Sequence, residues 1–96
     1  MHPAKVSRAR LQWLTDLPNV GAATAADLQA LGIKRPQDLH GMDALALYHA
    51  LCERQGARMD PCMLDVFLSL EDFMAGGEAR AWWHYTAERK RRYPQV

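Results

Sequence analysis

From Leu17 the chain runs Leu-Pro-Asn-Val-Gly-Ala-Ala-Thr-Ala, a pattern suited to holding a phosphate by backbone alone. Pro18 disfavours helix at Leu17, and Gly21 can take a positive φ, so a tight turn is expected there. A helix beginning directly after the turn leaves its first N–H groups without intrahelical partners. With the positive end of the helix dipole, these groups make a site for one phosphate oxygen. Asn19, Val20, Gly21, Ala22, Ala23 and Thr24 would form it. Contacts of this kind place a protein on a duplex without reading its bases.

The cations that would strengthen such a site lie at the two ends of the chain. The net charge of the 96 residues is +1. Residues 1–10 nevertheless carry +3, residues 11–78 carry −6, and residues 79–96 carry +4. Basic ends flank an acidic middle, so attraction to DNA depends on whether those ends meet beside the turn. Lys5, Arg8, Arg10, Arg89, Lys90, Arg91 and Arg92 are the candidate contacts. Neutralising about four phosphates would give a log–log salt slope of about −3.6. The competing reading is that terminal charges are solvated and serve solubility.

Other residue types admit other chemistry. His49 and Cys52 are three apart and share a helix face, Cys62 lies near the next helix start, and His84 follows two tryptophans. A Cys2His2 zinc site, a reversible Cys52–Cys62 disulfide and two buried thiols are the alternatives. The spacing is unlike the close Cys-x2-Cys knuckle, which favours the thiols and no metal. Trp82-Trp83-His84-Tyr85 suits either base stacking or closure of a small core; adjacent helical residues diverge by about 100°, so at most one tryptophan faces inward. No glycine-rich phosphate loop or serine nucleophile motif is present, and Asp65, Glu71 and Asp72 need not converge. The expectation is no catalysis, no cofactor and no small-molecule substrate.

The elements that would position these residues read as helices throughout. Val6, Ala9, Trp13, Leu14 and Leu17 follow three-to-four-residue steps, predicting a helix over 6–17. A second runs over 22–31, with Gly32 after its last turn and Ile33 packing back. Pro36 opens a short turn through Leu39. Asp43 is an N-cap for a helix ended by Gly56, and Asp60-Pro61 starts another, stopped by Gly76-Gly77. No stretch shows strand alternation. Hydrophobic residues at 49% and charged residues at 24% exclude disorder, and no apolar run nears the roughly 20 residues of a membrane span. The N-terminus lacks a signal-peptide pattern, so the expected location is cytoplasmic.

The segment Leu14–Leu28 resembles the helix-hairpin-helix motif, which commonly binds DNA without regard to sequence. Asn19 stands where the usual loop has its first glycine. Ala22 and Ala23 stand where proline, lysine or arginine is common, leaving the cradle without its cationic clamp. The resemblance extends over roughly residues 10–90. Leu17-Pro-Asn-Val-Gly, Ala25-Ala-Asp-Leu, Leu31-Gly-Ile, Leu47-Tyr, Leu51-Cys, Asp60-Pro-Cys, Asp65-Val-Phe and Trp82-Trp-His-Tyr-Thr are together similar to the small bacterial "pathogenicity locus" family. Members of that family are often labelled mitomycin resistance proteins, and the front half is also similar to the C-terminal domain of the competence regulator TfoX. The helical pattern predicts an all-α, compact single domain of five to six helices over residues 1–86, with 87–96 as a basic tail, and the resemblance implies a SAM-like bundle containing the helix-hairpin-helix. The family's labels imply a DNA-linked role, in DNA damage or mitomycin resistance; with the turn, the basic ends and no catalytic motif, the expectation is non-catalytic, sequence-independent binding of duplex or branched DNA. The alternative is a protein-interaction module that uses the bundle surface without touching DNA.

Overall fold

A computed structural model describes residues 1–96, and helices account for all of its regular structure. The α-helices are α1 (Ala22–Ala30), α2 (Ala44–Gln55), α3 (Cys62–Met74) and α4 (Thr86–Arg92). Short 3-10 turns occupy Pro3–Lys5, Arg8–Arg10, Leu14–Asp16, Pro36–Leu39 and Trp82–Tyr85, and there is no β-strand. The all-α expectation holds, with four α-helices in place of five or six. The radius of gyration is 12.3 Å, close to the ~12.5 Å of one folded domain of this length. No helix is long and apolar enough to cross a membrane.

Helix α3 is the centre of the fold. Every residue from Leu64 to Leu70 is buried, and a helix enclosed on all sides must be covered by the rest of the chain. Helix α2 packs on it, and the Trp82–Tyr85 turn and α4 cover another side. Leu64, Phe67, Leu68 and Leu70 are fully enclosed, as are Leu17, Leu28 and Leu51 from other elements.

Local signals set most helix ends. After α1, Gly32 takes φ +89°; its N–H donates to Gln29 O at 3.0 Å and the Ile33 N–H to Leu28 O at 2.9 Å, which is a Schellman stop. The ends of α2 and α3 repeat the arrangement at Gly56 and Gly76. At the start of α2, Asp43 accepts from the Ala46 N–H at 2.9 Å, while Glu71 reaches across from α3 to accept from the Ala44 N–H at 2.7 Å. Asp60 accepts from the Cys62 N–H at 2.9 Å, ahead of α3.

The helix expected over 6–17 does not form. The Asp16 carboxylate accepts from the N–H groups of Gln12 and Trp13 at 2.9 and 2.7 Å. A continuous helix would need those donors for the carbonyls of Arg8 and Ala9. The apolar stripe also lacks a surface to cover: Leu14 and Leu17 are buried, but Ala9 is exposed and Trp13 is 64% exposed. Helical order in proteins rests mainly on such burial. Asp38 repeats the device, accepting from Lys34 and Arg35 N–H groups ahead of its own 3-10 turn.

The run 87–96 is not a free tail. Residues 86–92 form α4, and Arg89 is 8% exposed. Its Nε donates to Asp65 Oδ1 at 2.7 Å, and Thr86 Oγ1 donates to Asp65 Oδ2 at 2.7 Å. Asp65 is 0% exposed, so both of its oxygens find a donor in the interior.

Two outcomes follow. Arg89→Ala leaves the Asp65 charge buried without its cation and should lower stability by about 3–5 kcal/mol, whereas Asp65→Leu with Arg89→Met should recover most of that; urea unfolding measures both. Asp16 and Asp38 are held below the ordinary carboxylate value of 3.8, chiefly by the N–H groups of Trp13 and Lys34. Depressed folded values mean that their contribution is present above about pH 4 and is lost as pH falls through those values. The acid limb of a stability–pH curve should therefore flatten in the Asp16→Asn, Asp38→Asn variant.

Candidate nucleic-acid interface

The loop before α1 is built from inside outward. Leu17, Pro18 and Val20 are buried, so the turn is anchored by apolar side chains on both sides of Asn19. The positive φ expected at Gly21 occurs instead at Asn19, with φ 65°; Gly21 is extended, at φ −99° and ψ −171°. Asparagine tolerates left-handed geometry, and its side chain here also makes three bonds. Nδ2 donates to Ser69 Oγ at 3.0 Å and to Arg80 O at 2.8 Å, and Oδ1 accepts from the Trp82 N–H at 3.2 Å. The Asn19 N–H donates to Met1 O at 2.9 Å, while the Met1 amino group donates to Leu17 O and Val20 O at 2.9 and 2.6 Å.

Of the six residues expected at the phosphate cradle, Asn19 and Val20 are therefore committed to the interior. Gly21, Ala22 and Ala23 are exposed, Thr24 is half-buried, and no side chain caps the start of α1. Space around the Gly21 Cα is open within 4 Å of where a Cβ would stand. The leading N–H groups of α1 thus face outward at the positive end of a nine-residue helix.

The expected cations divide into two sets. Lys5 and Arg10 line a shallow depression with Met1, Ser7 and Asp16, beside the loop that Met1 grips. Arg8 points elsewhere, donating to Phe73 O and Gly77 O at 2.7 and 2.6 Å with its guanidinium 4.0 Å from the Phe73 ring centroid; it satisfies carbonyls at the end of α3. Arg89 is the buried partner of Asp65. Arg92 reaches Glu88 at 3.4 Å and Glu71 at 3.8 Å, and only Lys90 and Arg91 of the cluster are exposed without an ion pair. Sequence reasoning missed the Arg80 backbone, whose carbonyl Asn19 holds at the loop while its guanidinium pairs with Glu78 at 3.7 Å. The Asn19–Arg80 link spans 61 positions, so no local pattern announces it.

The carboxylates of α3 hold separate partners: Asp65 takes Arg89 and Thr86, Glu71 takes the Ala44 N–H, and Asp72 takes the Tyr85 hydroxyl at 2.7 Å. Burial and the Asp72 carboxylate push the Tyr85 hydroxyl above its ordinary value. No three His, Cys, Asp or Glu side chains gather around a common point, so the Cys2His2 alternative is not assembled. His49 and Cys52 line one groove and His84 lines others. Cys52 and Cys62 are free thiols, both half-buried.

Residues 7–91 match the Pathogenicity locus family. The chain belongs to that family. It is 44% identical over 78 residues to the mitomycin resistance protein McrB of Streptomyces lavendulae, a match covering 81% of this chain and 74% of that protein. No solved structure matches. The family match takes in the loop, α1 to α3 and most of α4, so the seam between Asn19, Ser69 and Trp82 lies wholly inside it.

Asn19→Gly separates the two uses of this side chain. Glycine keeps the backbone angle but deletes three bonds, and the variant should lose about 1–3 kcal/mol in denaturant unfolding. A gain in stability would mean that only the angle matters.

Proposed function

We propose that this chain is a non-catalytic DNA-binding protein that holds duplex or branched DNA by its backbone phosphates, without sequence preference. The observation that supports this reading is the uncapped, exposed start of α1, with Lys5 and Arg10 beside the loop that precedes it. The loop and α1 then act as one arm of a helix-hairpin-helix whose other arm is shortened to the Leu14–Asp16 turn. The name of the Streptomyces relative connects that protein with mitomycin resistance, and a role in mitomycin resistance or DNA damage is carried here as part of the proposal. The protein works in the cytoplasm, with neither metal nor cofactor.

The internal engagement of arginines sets the salt dependence. Arg8 and Arg89 are engaged internally and the Arg80 guanidinium is paired with Glu78, leaving Lys5 and Arg10 near the loop. About two neutralised phosphates predict a slope of about −1.8. Replacing Lys5 and Arg10 by glutamine should make it shallower by about 1.8.

Gly21→Asp provides the sharper test. Aspartate caps the α1 N–H groups and should raise stability by a few tenths of a kcal/mol. It also puts a negative charge where the phosphate must sit, so DNA affinity should fall at least tenfold in anisotropy titrations at low salt. Unchanged affinity would remove the loop from the interface, and an absence of DNA binding in the parent protein would favour a protein-interaction role.

A further inference from the structure

Two tryptophans lie largely outside the core, Trp13 at 64% and Trp83 at 61% exposure, although aromatic side chains are the main core material of a small domain; of the two, Trp83 lines a groove. Its neighbour Trp82 is half-buried and packs on the core. The two rings meet edge to face, with centroids 5.6 Å apart and planes at 82°. The His84 ring also stacks on Trp83, at 6.3 Å and 25°. Trp83 is therefore propped outward by its neighbours.

The groove beside it encloses about 580 Å³ and is lined by His2, Pro3, Arg80, Trp83 and His84 together with small alanines. No carboxylate lines it; the Arg80 guanidinium pairs with exposed Glu78 at 3.7 Å, and Glu71, Asp72 and Glu88 line the adjoining depression that shares Arg80 and His84. An aromatic face with an arginine and two imidazoles fits a nucleobase on its phosphate-bearing strand. It fits an acidic macromolecule better than a basic or purely apolar one.

This groove is fixed relative to the phosphate loop. Asn19 holds Arg80 O and the Trp82 N–H on the two sides of Ala81, so the residue after Trp82 cannot drift from α1. The geometry points to a stacking site for an unpaired base at Trp83, so that the preferred ligand is duplex DNA continued by a single strand. This rests on the phosphate-binding reading of the loop: α1 and the basic residues near it hold the duplex, and Trp83 takes the first unpaired base.

The test compares a blunt duplex of about 20 base pairs with the same duplex carrying a thymidine overhang, by fluorescence anisotropy at low salt. The parent protein should bind the overhang duplex about tenfold more tightly. Trp83→Ala should abolish that preference while leaving blunt-duplex affinity within about twofold, and Trp83→Phe should keep most of it. Equal affinity of the parent for both probes, or a preference that survives Trp83→Ala, overturns the stacking site and leaves the loop reading intact. Failure of the parent to bind either probe overturns the loop reading and the stacking site with it. Because Trp83 is largely outside the core, a folded Trp83→Ala protein is expected; its unfolding curve should overlay that of Trp83→Phe.

Discussion

A fully buried carboxylate in the first turn of the central helix governs this fold. Asp65 has no exposure to solvent, and an unpaired charge in that position would cost several kcal/mol. Arg89 and Thr86 resolve the problem together. They are three apart on α4, so they present to Asp65 from one face. The docking of α4, and with it the placement of the Trp82–Tyr85 turn, is thereby tied to one point on α3.

Asp65 is the first member of a polar seam. Ser69 follows at four residues and Asp72 at seven, so the three lie along one stripe of α3. Each receives a different part of the chain: Asp65 takes α4, Ser69 takes Asn19 from the loop, and Asp72 takes Tyr85. The loop that carries the proposed phosphate site is thus positioned by the same stripe that positions the aromatic turn. Hydrogen bonds along the seam provide direction that the surrounding apolar contacts, which are non-directional, do not.

Much of this was legible in the sequence where the controlling signal is local. Asp43, Asp60-Pro61, Gly32, Gly56 and Gly76 announce helix ends through caps and turn geometry that involve only a few neighbouring residues. The bare start of α1 was legible for the same reason. The helix expected over 6–17 failed because periodicity reports which side chains could share a face, and says nothing about whether a surface exists to bury it. Asp16 supplied the competing bonds. Arg8 and Arg89 looked like free cations because their partners, Phe73 and Asp65, lie 65 and 24 positions away. The spacing of Asp65, Ser69 and Asp72 along one stripe of a helix whose other buried positions are apolar was the available signal that polar partners would have to meet it.

Asn19 joins the two levels of the account. Its backbone makes the turn that frees the N–H groups of α1, and its side chain locks that turn to α3 and to the aromatic segment. The central claim is that those freed N–H groups meet DNA phosphate. Amide chemical-shift mapping by NMR during titration with a short duplex examines them one by one. The account predicts that the largest amide shifts fall on Gly21, Ala22, Ala23 and Thr24, with smaller shifts near Lys5, Arg10 and Arg80. Saturable shifts centred on α2 or the exposed face of α4, with the four amides unmoved, would contradict it.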